Sequence, residues 1–489
     1  MPFRGVRYAP ARVGELANVT SPPYDVIGPS TLEHLRAASP YNIVRLILPE
    51  PERGPAGPGA PGDPDALSGS EGRPPGAPRF DARAVGQLAA ARLRDWLADG
   101  VLAVDNSPAL YVYEQRGPGY VQRGLIGLVQ VGTGAIHPHE DVMPGPVAGR
   151  RELMAAVRGN LEPILLVYNG GAGAGGHGGT AGAGPAGATA ADFPGTASAS
   201  VSKTSQLVDF TAEQRTPLAC TVTDDGVAHR LWALTDPAEH AAIAADLAER
   251  TALIADGHHR YAAYGELRTS MREAGHGDGP WDYGLAFLVD ADEYPLRLGP
   301  IHRVIPRLDP AEAARLAAQA FTVTELPAAG MGLAATGAAS VHEDSRDGGL
   351  PLADALRQLA DAGREGTAFL LAGRGGFWLL SRPDLDELAE AMPSGASSRW
   401  RALDASVMQE LLLARLWSIK DNERDVLISH DADEAVRLAV QTGGTAVLCN
   451  PMRLAAVTDL AAHGERVPRK STSFGPKPRT GLVLRTFDA

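Results

Sequence analysis

Apolar and polar positions fall in short blocks along this chain, and the period of the blocks changes often. Ser30-Thr31-Leu32-Glu33 has capping-box spacing ahead of a short helix that must stop near Pro40. The run NIVRLIL at 42-48 is apolar and β-branched, which predicts a buried strand. From Phe80 onward Val85, Leu88, Leu93, Trp96 and Leu97 recur on one side of a helix. Strands are expected at roughly 109-115 and 121-131, joined by the turn Arg116-Gly117-Pro118-Gly119. A helix over Arg150 to Val157, a strand over Ile164 to Tyr168 and a strand ladder near 216-234 follow. Ala238 to Thr251 reads as a helix. Leu253-Ile254-Ala255 is a short buried strand that delivers Asp256 to Arg260 at its end, and a helix of about 260-273 comes next. Leu285 to Val289 is a strand. Beyond Pro306 helices and strands alternate, with short strands at 427-429 and 445-449 and a closing strand at 481-486.

This order predicts an α+β or mixed α/β fold, with mixed sheets and flanking helices. Two stretches break it. Residues 51-79 are Pro/Gly-rich and read as an exposed insert, and 170-191 is Gly/Ala low complexity. They divide the chain into an N-terminal α+β region (1-169), a flexible linker or loop (170-200), a central region (201-306) and a C-terminal α/β region (307-489).

Charge narrows the function classes. Lys and Arg number 45 against 58 acidic residues, a formal net charge of -13, and no basic block stands out, which argues against a nucleic-acid partner. No stretch of eighteen apolar residues occurs and the first residues lack a secretory pattern, so a soluble, cytoplasmic protein is expected. The two cysteines, Cys220 and Cys449, form no CxxC pair, which disfavours a disulfide framework or a cysteine zinc site.

The sharpest chemical signal is IADGHHRYAAY at 254-264. Apolar residues lead into Asp256, Gly257, His258, His259 and Arg260, and a helix begins there. Its first amides and the positive end of its dipole would receive an anion such as phosphate. Gly257 permits a positive φ or a close backbone approach, Arg260 can fork onto two oxygens, and His258 or His259 can move a proton near neutrality. The bland alternative is a cluster that merely caps the helix.

A second signal is His137-Pro138-His139-Glu140. In an extended segment His137 and His139 point to one side, where with Asp256 they would make a metal set and Glu140 a nearby acid. The HExxH order of zincins is absent. His302-Arg303 adds cations after a strand, and Arg469-Lys470-Ser471-Thr472-Ser473-Phe474-Gly475-Pro476-Lys477 gathers three cations and three hydroxyls, with Lys470 and Lys477 as candidate phosphate contacts. It lacks the order of a P-loop.

The chain resembles the domain-of-unknown-function 1015 family (DUF1015). The matching stretches are PFRGVRY (2-8), PPYDVI (22-27), SPYNIVRLILPE (39-50), HPHE (137-140), NLEPILLVY (160-168), ADGHHRYAAY (255-264), IHRVI (301-305), LDASVMQELLL (403-413) and GERVPRKSTSFGPKP (464-478). The family brings no established activity. A looser likeness is to the ParB/sulfiredoxin-like nucleotide-binding fold, whose Gly-x-His-Arg motif holds nucleotide phosphates. Gly257-His258-His259-Arg260 would take that place, and a serine kinase exists in that superfold.

Three functions stay open: a nucleotide- or phosphate-binding enzyme, a phosphotransferase or hydrolase using a nucleotide with Mg²⁺; a metal-dependent hydrolase on His137, His139, Asp256 and His258 or His259; and a non-catalytic ligand sensor or scaffold. In the enzyme readings Asp256, His258, His259, Arg260 and Glu140 are the catalytic candidates, and Gly257, Arg260, Arg303, Lys470 and Lys477 the cofactor-binding ones. His137, His139 and Asp256 and His302-Arg303 are expected to share one cleft with them.

Overall fold

The computed structural model describes residues 1–50, 82–171, 202–326, 350–422 and 425–488. The two inserts, 51-79 and most of 170-200, lie outside the described residues. The chain divides into a first unit, Met1–Arg297 with Pro476–Ala489, and a second, Leu298–Gly475. Both are mixtures of sheet and helix, so the fold class is mixed α/β, with several sheets flanked by helices.

Eight strands of the first unit form one sheet: β1 (Leu110–Gly117), β2 (Tyr120–Gln130), β3 (Ile136–His137), β4 (Ile164–Tyr168), β5 (Ala219–Val222), β6 (Ala228–Leu234), β7 (Ala252–Asp256) and β8 (Tyr283–Asp290). Their order across the sheet is β3-β7-β4-β8-β2-β1-β6-β5. The pairs β3-β7 and β4-β8 are parallel and the others antiparallel. The hairpin β1-β2 closes on Pro118-Gly119, where Gly119 takes φ +74°, the second central position of a type II turn. Strands from 1-169 and 201-306 therefore interleave in one sheet, although composition reads them as separate regions.

One face of this sheet carries four helices: α1 (Pro144–Val157), α2 (Lys203–Gln214), α3 (Pro237–Leu247) and α4 (His258–Glu273). Leu166, Ile254 and Ala286 bury against α1 and α4, and Val112, Leu125 and Trp232 against α2 and α3. The opposite face carries irregular chain. There Tyr111 accepts from Gly5 N at 2.8 Å, and Tyr113 accepts from Arg479 N at 3.1 Å.

NIVRLIL does not form a strand. Val44–Ile47 is a single helical turn, and Ile43, Val44, Leu46 and Ile47 are wholly buried. Asn42 caps the turn by accepting from Val44 N and donating to Asn18 O and Thr20 O. A turn enclosed on all sides shows the same unbroken apolar run as a buried strand. The expected capping box at Ser30 is also replaced, because the helix Pro29–Ala38 starts two residues earlier, with Gly28 as an N-cap that makes no side-chain bond. Of the closing strand, Arg485–Thr486 pairs with Gly159–Asn160 and Leu484 makes an isolated bridge to Val6.

The second unit holds an antiparallel six-stranded sheet: β9 (His302–Ile305), β10 (Thr322–Leu326), β11 (Ala368–Gly373), β12 (Gly376–Ser381), β13 (Leu427–Ser429) and β14 (Thr445–Cys449), in the order β10-β12-β11-β14-β9-β13. Phe369 and Leu371 face one apolar core, and Ala368, Leu370 and Ala372 face another. Burial on both faces explains the unbroken run AFLLA. Among the described residues no helix is long and apolar enough to cross a membrane.

Candidate functional site at the end of strand β7

Strand β3 runs parallel to β7 and ends opposite Leu253, so the segment after it continues alongside the last residues of β7 and meets the helix start that follows. This brings HPHE and DGHHR into contact despite the separation between them. The rings of His139 and His258 meet edge to face at 4.5 Å between centroids. His139 N donates to His258 Nε2 at 3.4 Å, and Met143 N donates to His259 Nε2 at 3.1 Å. Both histidines of the helix start thus accept from main-chain N–H groups, which assigns the proton of each neutral ring to Nδ1. His139 is wholly buried, and burial lowers its pKa to about 4, with a bond to the Ile254 backbone working the other way. Glu140 is buried on the same segment, and His137 is half-buried.

Gly257 sits between strand and helix at φ +94°. A Cβ there would lie 2.8 Å from Ile164 Cγ2 and 3.1 Å from Arg260 Nε, so both the dihedral and the space require glycine. It opens α4, a helix of 16 residues, without a side-chain cap.

The register of β7 determines where Asp256 points. Ile254 pairs with Leu166, but Asp256 pairs with Leu165, with a bulge between. The extra residue turns Asp256 away from the helical face that Ile254 covers, toward the face of the C-terminal chain. There Asp256 Oδ2 accepts from Arg260 Nη2, and Asp256 Oδ1 accepts from Lys477 Nζ. Asp25, on the turn Tyr24–Val26, comes within 3.6 Å of the same Lys477 nitrogen. Lys477 keeps 17% of its side chain exposed. Burial disfavours its charged form, but Asp25 and Asp256 outweigh that and raise its pKa.

Arg260 does not reach outward. It is 1% exposed, and its Nη1 donates to Pro163 O at 2.6 Å while Nη2 holds Asp256. Its place one turn into α4 points it back at the strand end, so it positions Asp256 instead of forking onto a ligand. Beneath it Arg150 lies over the Tyr24 ring at 4.1 Å and pairs with Glu162 at 3.7 Å. Glu162 accepts from Tyr24 N at 3.1 Å. Burial raises the Glu162 pKa, with Arg260 and Arg150 opposing it. Arg150 Nη2 and Arg260 Nε have no hydrogen-bond partner among the described residues, and both side chains line one narrow cavity with Glu162, Leu153 and Met154.

The set His137, His139 and Asp256 does not form a metal centre. Among the described residues no group of three or more His, Cys, Asp or Glu is arranged to hold an ion. The bulge sends Asp256 to an arginine and a lysine, while His139 is held at His258 and Ile254. His302, Arg303 and Lys470 belong to the second unit. There His302 Nδ1 accepts from Cys449 N at 3.1 Å. Arg303 is 1% exposed and donates to Ile301 O and Arg469 O, which commits it locally. Lys470 occupies a turn at φ +53°.

Sequence reasoning missed Asp25, Arg150 and Glu162 as site residues. A signal existed for Glu162, a lone acid directly ahead of the apolar strand ILLVY, and for Asp25 inside PPYDVI. Neither pattern says that the two acids meet.

These features define a mixed α/β protein with a charged cluster at one sheet end. The chain belongs to the DUF1015 family, described as a protein of unknown function, whose model matches residues 1–59, 69–174 and 189–406. No curated protein matches it. Among solved structures it is similar to a free serine kinase variant in complex with AMP, at 13% identity and TM-score 0.32, covering 72% of this chain and 87% of that one. A conserved hypothetical protein from Pyrococcus furiosus has 13% identity and TM-score 0.33, over 74% and 96%. SbnI from Staphylococcus aureus, truncated at its C-terminus, has 10% identity and TM-score 0.31, over 72% and 82%.

Proposed function

We propose that the first unit is a phosphate-binding enzyme module that takes a nucleotide with Mg²⁺ at the junction of β7 and α4. One observation carries the reading. Lys477, a partly exposed cation, is held by Asp256 at the strand end that opens α4. A phosphate there would meet the ammonium and the first amides of the helix together. Asp256, aligned by Arg260, is the candidate proton acceptor. His258 and His259 flank it on the first helical turn as candidate proton carriers. The oxygens of Asp25 and Asp256 converge on the Lys477 ammonium, which fills that point, so an Mg²⁺ brought with the phosphates would be held beside it by the nucleotide's own oxygens and water. Such an ion would neutralise phosphate charge. No observation favours the histidine-based hydrolase.

Calorimetric titration with ATP, ADP, CTP and GTP in the presence of Mg²⁺ tests this. Binding tighter than millimolar that is lost in Lys477→Ala is expected. The reading fails if none of the four binds.

A further inference from the structure

We propose that Asp25 is a built-in competitor for Lys477, holding the ammonium that an incoming phosphate must recruit. The inference rests on the phosphate-binding reading and adds a residue and a sign to it.

Lys477 meets two carboxylates that differ in kind. Asp256 is 5% exposed and is itself anchored by Arg260, so its contact with Lys477 belongs to a fixed buried network. Asp25 has 21% of its side chain exposed and stands 3.6 Å from the same nitrogen. That contact is longer and wetter, and it sits on a single helical turn instead of a sheet strand. An ammonium has three donors that rotate freely, so it can keep Asp256 and exchange Asp25 for a phosphate oxygen. The nearby charges balance, with Asp25, Glu162 and Asp256 facing Arg150, Arg260 and Lys477. A phosphate entering that neutral set meets Asp25 as the acid to displace. Asp25 thereby sets how tightly the site takes phosphate and keeps Lys477 placed when the site is empty.

The consequence is opposite to that of an ordinary binding residue: removing the Asp25 charge tightens phosphate binding. A partly exposed ion pair of this kind corresponds to about two- to fivefold in affinity. Titration with inorganic phosphate, without magnesium, is made on the natural chain, Asp25→Asn, Lys477→Ala and the double variant, with thermal unfolding of each as a control for folding. Asp25→Asn is expected to bind phosphate more tightly, and the gain is expected to vanish when Lys477 is also alanine. A gain that persists without Lys477 is a general charge effect and overturns the proposal. So does unchanged or weaker binding in Asp25→Asn. If no variant binds phosphate while nucleotides bind with Mg²⁺, the competitor role fails and the phosphate-binding reading stands. If nucleotides fail as well, both fall.

Discussion

Arg260 is wholly buried, and each of its terminal nitrogens is spent inside the protein. Replacing it with alanine leaves Pro163 O without its donor and Asp256 with Lys477 as its remaining partner, a loss of about 3 kcal/mol, the lower end for a broken buried pair because the carboxylate stays paired. Urea unfolding of Arg260→Ala should show that drop, and Arg260→Lys should recover little, because one ammonium cannot span both acceptors. Gly257→Ala should cost about 1–2 kcal/mol from its left-handed backbone alone, with Ile164 forced to move; the denaturant midpoint reports it. Two other histidines tie stability to pH. Burial lowers His229 and His302 to about 4, against about 6.5 in an unfolded chain. As pH falls below about 6.5 the unfolded chain takes up protons that the folded chain refuses. Stability is therefore lost between about pH 6.5 and 4, at up to about 1.4 kcal/mol per pH unit for each histidine. Unfolding midpoints at pH 7, 6 and 5 check the slope, which should be shallower in His302→Asn.

Among the elements, the bulge in β7 has the largest consequence for its size. Deleting Ala255 would remove the bulge yet leave Asp256 opposite Leu165 and directly after Ile254, so alternation keeps its carboxylate on the face of Lys477. The variant should keep nucleotide binding in calorimetry, whereas Asp256→Ala, which removes the carboxylate that the bulge aims, should lose it. What could be read from the amino acids alone follows the reach of each interaction. The β1-β2 hairpin and the strand-to-helix step at Asp256-Gly257 rest on neighbours in the chain, and both were legible. The helical turn at 44-47 was not, because its burial on all sides comes from distant segments. The meeting of Asp25, Glu162, Asp256 and Lys477 was not either, since it depends on strand order and on one extra residue in one strand.

In the whole molecule, residues 476–489 belong to the first unit although they follow the second in sequence. Thr480 and Leu482 to Leu484 are buried there, Thr480 exchanges bonds with Ser21, and Leu484 with Val6. Arg485 ties Asn160 to Tyr283 O. Met1–Arg297 made alone should lack a cooperative unfolding transition, whereas Leu298–Gly475, with apolar cores on both sheet faces, should fold by itself. Circular dichroism melts of the two fragments decide it.

That strap also sets an order of events at the ribosome. Domains are ordinarily completed in the order of their synthesis. Here the inserted unit can finish while the earlier-made sheet still waits for its final buried stretch. Until residues 476–485 emerge, the nascent chain carries an open apolar face at Tyr111, Tyr113 and Phe287. Chaperones that shield such faces during translation should bind nascent chains stalled before Pro476 and let go of those stalled well past Ala489 on an added linker. Crosslinking of stalled chains to such a chaperone would show the change.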